Sequence, residues 1–265
     1  MSKKELLLSQ VIVEYLRYKE PIGSESLKHS MNAKFSSATI RNYFKILAQE
    51  GLLSQPHISS GRVPTISALK SYWYQHIDAK SLYSVSCLED IKKACFEHHI
   101  FCILSLEQSN RFKEMINVEN KYLILMFDQI GISLPFSSHL ERFLNELKGL
   151  DIIDMRKIAH QVCAYSLLKS LESVQTKSIH RFCMGAIADI CQSSQDESIL
   201  FSIVDGRVFD SLENGVYFEE VLPKGYLAVM QEVNFANQPT QKARMCCVGA
   251  LDRDFTHFYE NFILR

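Results

Sequence analysis

Hydrophobic positions in the first 80 residues recur at helical spacing, then switch to short extended runs, then return to helical spacing. Leu7, Val11 and Tyr15, with Leu8, Ile12 and Leu16, repeat every four residues without Gly or Pro, predicting a helix over Lys3 to Lys19. Glu20-Pro21-Ile22-Gly23 breaks it. Ser24 can cap a short second helix to about Ser30, and Met31 to Lys34 form a turn. Ser36 and Ser37 offer capping hydroxyls to a third helix, whose apolar stripe is Ile40, Phe44 and Leu47; Gly51 sits where a left-handed residue would end it. At about 100° per residue the opposite face carries Ala38, Arg41, Asn42, Lys45 and Gln49, with Thr39 at its flank.

Two short extended runs follow, Leu52 to Gln55 and Arg62 to Val63, around the polar tip Pro56 to Gly61. Pro64 is expected to stop further pairing. Ile66 to Asp78, with Leu69, Trp73 and Ile77 in line, predicts a fourth helix in which Trp73 is a packing anchor. Helix, helix, turn, helix, hairpin is the order of a winged helix-turn-helix. The outward face of its third helix suits a major groove. Arg and Lys donate to guanine O6 and N7, Asn pairs with adenine N6 and N7, and small side chains allow close approach. Arg41, Asn42 and Lys45 are therefore the candidate base readers, and Ser37 and Thr39 contact phosphate or the groove edge. Arg62, His57 and the wing hydroxyls, Ser59 among them, face the sugar-phosphate backbone. The plainer alternative is a surface hairpin after an ordinary amphipathic helix.

Beyond residue 80 the pattern becomes mixed. The Ser-rich stretch Lys80 to Ser86 is the candidate linker, dividing residues 1–80 from residues 81–265. Ile100 to Leu106, Tyr122 to Phe127 and Ile132 to Phe136 read as strands, the first two separated by a polar loop. His139 to Gly149 and Asp154 to Leu171 read as helices, and Ser178 to Cys191 as a further helix. Strands return at Leu200 to Val204, Val216 to Val221, Leu227 to Val233 and Met245 to Gly249, before a terminal helix from about Asp252. This predicts an α+β domain whose sheet is interrupted by a helical insertion over roughly 138–195.

Charge sharpens this division. Residues 1–80 hold 11 Lys/Arg against 6 Asp/Glu and the remainder 18 against 24, a basic head on an acidic body, as a DNA-binding domain joined to a control domain would show. With 47% hydrophobic residues in 265, the chain can build real cores. No apolar run approaches the roughly 20 residues of a membrane helix, and Met-Ser-Lys-Lys-Glu is no signal peptide, so a cytoplasmic protein is expected. The 8 cysteines lack C-x-x-C and zinc-ligand spacing and read as buried free thiols. Cys246 and Cys247 should point to opposite faces of a strand.

Three stretches carry a resemblance. GSESL (Gly23 to Leu27), SSATIRN (Ser36 to Asn42) and EGLLSQPHISSGRVPT (Glu50 to Thr65) resemble the N-terminal signature of the bacterial heat-inducible transcription repressor family HrcA. Tyr43 stands where the family usually has Asp, and Ser60 where it more often has Ala. The resemblance implies a GAF-like α+β domain behind the winged helix, with an inserted segment that takes part in dimerisation. The chain is shorter than typical members, so a trimmed insertion is expected. Val248 to Phe255 loosely resembles a family segment, with Ala250 in place of the usual Pro. The resemblance further implies a homodimer on the nucleoid that represses chaperone operons through an inverted-repeat operator of the CIRCE type, with the GroEL chaperonin keeping it active.

Competing chemistry has little support in the residues. His98-His99 lacks an acidic or His partner at i+3 or i+4 for a metal, and no G-x-S-x-G, phosphate loop or dinucleotide fingerprint occurs. No catalytic residue, cofactor or metal is assigned, and the chain is not expected to be an enzyme. Two other classes remain: a winged-helix regulator whose C-terminal domain senses a small molecule or redox state, and an interaction module whose winged helix binds protein.

Overall fold

The computed structural model describes residues 2–57, 60–107, 109–174, 177–192 and 198–264. Helix α1 (Lys3–Tyr18) opens on a capping box: the Glu5 N–H donates to Ser2 Oγ at 3.2 Å and the Ser2 N–H to the Glu5 carboxylate at 2.7 Å. Helices α2 (Ser24–Ser30) and α3 (Ser37–Gln49) follow. Leu7, Val11, Leu27, Ile40, Phe44 and Leu47 join Ile22 and Leu53 in one small core, so each predicted apolar stripe faces the others. Strands β1 (Leu53–Ser54) and β2 (Val63–Pro64) pair antiparallel, and Ile22 adds a third rung by exchanging backbone hydrogen bonds with Arg62. Pro64 does not stop the pairing. It faces Leu53 on a rung that needs no N–H from it, and the next residue, Thr65, donates to Leu52 O at 3.0 Å.

Helix α4 (Ile66–His76), capped by Thr65 Oγ1, ends two residues earlier than expected. Its Trp73 is fully buried, donates from Nε1 to Leu251 O at 2.7 Å and meets the Phe255 ring edge-on at 5.5 Å. The chain then forms β3 (Tyr83–Val85), α5 (Leu88–His98) and β4 (Phe101–Glu107). It leaves for β5 (Phe112–Val118), β6 (Tyr122–Phe127), β7 (Gly131–Pro135), α6 (Ser138–Glu146), α7 (Ile152–Gln161) and α8 (Tyr165–Glu172). It returns through β8 (Lys177–Phe182), α9 (Met184–Gln192), α10 (Ser198–Asp205), α11 (Val208–Ser211), β9 (Gly215–Tyr217), β10 (Tyr226–Phe235), β11 (Gln238–Ala250), α12 (Phe255–Glu260) and β12 (Ile263–Leu264).

The main sheet runs β12-β3-β10-β11-β4-β8, with β9 also paired to β10. Its centre is the long antiparallel β10–β11 ladder, in which Val229 faces Cys247. Cys246 and Cys247 are both fully buried, so both faces of the sheet are covered there, as their alternation requires. Two compact units result: Met1–Leu104 with His180–Arg265, and Ser105–Ile179. In the second unit β5-β6-β7 form an antiparallel meander whose inner residues, Phe112, Leu123, Leu125 and Leu134, share a core with Leu144, Ile152, Met155 and Leu167.

The mixed α+β class agrees with the sequence, but several elements do not. The polar loop expected before Tyr122 contains β5, whose exposed positions made it read as a loop although Phe112 is fully buried. The excursion is therefore Ser105–Ile179 and brings its own sheet, rather than a helical segment over 138–195. The single helix over Asp154 to Leu171 is two: Cys163 takes φ 56, and α8 turns back so that Arg156 donates to Leu171 O and Val174 O. Ser178 to Cys191 divides into β8, held at the sheet edge, and α9 after Cys183 at φ 55. Leu200 to Val204 is helical, because a short apolar run fits either period and Leu200 and Ile203, three apart, are the residues buried. Val216 to Val221 is strand only as far as Tyr217. The linker stretch Lys80 to Ser86 contains β3, which pairs parallel to β10 at Val233 to Phe235.

Candidate nucleic-acid interface

Helix α3 is fixed at both ends and along one side. Its first turn is capped where the Thr39 N–H donates to Ser36 Oγ at 3.1 Å, and Gly51 at φ 71 follows its last residues, a left-handed position that favours Gly. Ile40 and Leu47 are fully buried and Phe44 nearly so, which sets the rotation of the helix about its axis. Ala38, Arg41, Asn42, Lys45 and Gln49 consequently lie exposed. Among the described residues Arg41, Asn42 and Lys45 make no side-chain hydrogen bond or ion pair within the chain, so their donors remain available. Thr39 is half-buried, its hydroxyl 2.9 Å from that of Ser36.

Ser37 is placed otherwise than its candidate role suggests. It is 8% exposed, and its hydroxyl engages Glu25 of α2. That hydrogen bond is the main reason the Glu25 carboxyl lies below its ordinary range, with Lys28, Arg41 and His29 adding to it. Ser37 therefore faces Glu25 of α2 instead of open solvent. The two residues lie in separate stretches singled out in the sequence, and nothing in their pattern reveals that they meet.

The turn between β1 and β2 is held by side-chain-to-backbone hydrogen bonds. The His57 N–H donates to Ser60 Oγ at 3.0 Å, the Ser60 hydroxyl donates to His57 O at 2.8 Å, and Gln55 Nε2 donates to Ser60 O at 3.0 Å. His57 is exposed beside this clamp; Ser59 lies outside the described residues. Gly61 is required by close approach, since a Cβ there would stand 2.5 Å from the carbonyl carbon and oxygen of Ile22. Sequence reading took Gly61 only for a turn residue. Arg62 is half-buried, pairs through its backbone with Ile22, and has a buried Nε without a partner among the described residues. Helix face and wing together present Arg41, Asn42 and Lys45 on one rigid element and His57 and Arg62 on another.

The two adjacent histidines are each engaged by a polar neighbour. His98 meets Asn261 Nδ2 at 3.0 Å, and His99 Nε2 pairs with Asp189 at 2.7 Å. The Cys183 thiol lies 4.0 Å from His99 Nδ1, but it is buried, and burial pushes its ionisation above the ordinary thiol range, which opposes formation of a nucleophilic thiolate. Among the described residues no group of three His, Cys, Asp or Glu is placed to hold a metal, and no helix is long and apolar enough to cross a membrane.

Residues 73–263 match the family model described as HrcA C-terminal domain. The protein named heat-inducible transcription repressor HrcA from Helicobacter pylori strain J99 is 33% identical over 262 residues, covering 98% of this chain and 94% of that one. The protein of the same name from Corynebacterium diphtheriae is 39% identical over 80 residues, 30% of this chain and 23% of a longer one. A third, from Bifidobacterium longum strain DJO10A, is 50% identical over 64 residues, 24% of this chain and 17% of its own.

Proposed function

Since this chain belongs to the HrcA family of heat-inducible transcription repressors, we propose that residues 1–80 act as a winged helix-turn-helix that binds an inverted-repeat operator of the CIRCE type upstream of chaperone operons. The observation that carries this is the outward face of α3, where Arg41, Asn42 and Lys45 are exposed and, among the described residues, have no side-chain hydrogen bond or ion pair, on a helix locked by Ile40, Phe44 and Leu47. In a major groove these side chains read base edges. Thr39 and the Ser37 N–H meet the groove edge or phosphate, and His57, Ser59 and Arg62 secure the wing on the backbone. Residues 81–265 serve as a GAF-like control domain.

An inverted repeat presents two half-sites related by a two-fold axis, so the repressor acts as a homodimer, one α3 per half-site. The outer face of the β5-β6-β7 meander suits that contact. Val118 lies opposite Tyr122 and Ile116 opposite Ile124, and Ile116, Val118 and Tyr122 are exposed apolar side chains in one patch. Regulation follows as a titration in the cytoplasm. Free GroEL chaperonin assists the repressor into its DNA-binding form, and chaperonin occupied by unfolded clients leaves it inactive, so chaperone transcription rises. Family membership supports this arm. The test is fluorescence anisotropy with an inverted-repeat duplex and a scrambled one, with and without GroEL. Selective binding strengthened by GroEL is expected; equal binding to both duplexes would refute it.

A further inference from the structure

A cleft of about 620 Å³ opens where α1 and α4 of the head meet α5 and α12 of the body, all within one compact unit. Its lining carries three cations, Arg17, Lys19 and Arg253, against three carboxylates, Glu97, Asp254 and Glu260, so the charges balance but their pairing does not. Glu97 pairs with Lys93 at 3.8 Å, the Asp254 carboxylate accepts from the His257 N–H at 3.0 Å, and Glu260 lies 3.7 Å from His257 Nδ1. Each carboxylate lining the cleft thus has a partner. Arg17, in the last turn of α1, and Arg253, three residues after the end of β11, line the same cleft, and among the described residues neither guanidinium has a hydrogen bond or ion pair. Arg253 Nε is buried without an acceptor. Lys19, a third cation of the cleft, reaches Asp252 at 3.9 Å; burial holds its ammonium below its ordinary range, with the charge of Arg253 adding to this and those of Asp252 and Asp254 opposing it.

A buried guanidinium nitrogen without an acceptor is costly, and here two guanidinium groups without acceptors among the described residues line one concavity. Planar guanidinium groups pair with phosphate or carboxylate through two parallel N–H bonds, an arrangement a single halide cannot satisfy. Pockets for small ligands are concave and carry a few convergent polar groups, as this cleft does. We propose that the cleft is a binding site for a small polyanionic metabolite, an oligophosphate or a tricarboxylate, held between Arg17 of the DNA-binding head and Arg253 of the body.

Such a ligand fastens α1 to the loop between β11 and α12 and stabilises one arrangement of head on body. By linkage, if that arrangement binds DNA better or worse than the alternatives, the metabolite shifts operator affinity to the same degree. The site goes beyond the operator-binding reading and stands or falls separately, because its first test contains no DNA.

Isothermal titration of the full-length protein at physiological salt against pyrophosphate, ADP and citrate, with sulfate at matched ionic strength as control, tests the site. At least one of the three should bind below about 1 mM, and Arg253→Gln and Arg17→Gln should each weaken it at least tenfold while Arg253→Lys recovers part of the loss. The pattern among the three ligands separates phosphate from carboxylate recognition. Melting temperatures unchanged by the substitutions keep the comparison interpretable, and the variants, being at a half-buried and an exposed side chain, are expected to fold. Failure of all three to bind overturns the proposal, as does binding that sulfate matches or that both substitutions leave intact. Loss of operator affinity in Arg17→Gln and Arg253→Gln without any small-anion binding would overturn it in favour of DNA phosphate as the occupant.

Discussion

A methyl group at position 61 would stand 2.5 Å from the Ile22 carbonyl, so Gly61→Ala must push the wing off the rung that Arg62 makes with Ile22. We expect it to lower stability by about 1–3 kcal/mol in urea unfolding, more than substitutions elsewhere in the exposed wing. The base-reading face makes a different prediction. Asn42→Ala should cost about 1–3 kcal/mol on the operator and leave scrambled DNA almost unchanged, whereas Arg62→Ala should weaken both alike and reduce the salt slope by about one. Equal losses on both duplexes for Asn42→Ala would remove it from the base readers. The thiols give a third check. Cys95, Cys102, Cys183, Cys246 and Cys247 are buried and Cys163 is exposed, so Ellman's reagent should label Cys163 fastest and the buried five only on unfolding. At this scale periodicity revealed exposure well, since it turns on helix geometry alone. It could not reveal Ser37 engaged by Glu25 or Gly61 against Ile22, because both depend on residues brought close by the fold.

Helices with wide apolar stripes and strong punctuation were legible. α1 carries a capping box, α3 has a Ser cap before it and Gly51 after it, and α4 follows the Thr65 cap. Elements that depend on tertiary pairing were not. β3 exists because β10 and β12 accept it, and β5 because β6 does. The break between α7 and α8 falls at Cys163, a residue type that gives no turn signal. Among the elements α4 links head and body most directly, through the Trp73 bond to Leu251 O and through Lys70, which pairs with Glu219 and lies 5.0 Å over the Phe218 ring. Trp73→Phe keeps most of the packing but leaves the Leu251 carbonyl unpaired. It should lower stability by about 1–3 kcal/mol and raise hydrogen exchange in α4 and α12 together. Exchange confined to α4 would show that this helix does not couple the two.

For the whole molecule, the charge difference between residues 1–80 and the remainder supports the proposed division into a DNA-binding part and a control part, and the signature stretches pointed to the family to which the chain belongs. The reach of the excursion was not legible, since β6 and β7 read as strands but β5, most of whose positions are exposed, read as a polar loop. That exposed meander face carries the dimer prediction: Ile116→Glu with Tyr122→Lys should shift sedimentation from dimer to monomer without loss of the unit's fold, because neither side chain is in its core. The central claim, that this head recognises an inverted repeat, is tested most directly by anisotropy titration of the full-length protein across a salt series, on a chaperone-operon inverted repeat and a scrambled duplex. The account predicts tighter binding to the repeat by at least about a thousandfold at physiological salt, with that preference reduced about 5- to 150-fold in Asn42→Ala. Weak binding of equal strength to both duplexes, falling together with salt, would contradict it and leave only a basic surface.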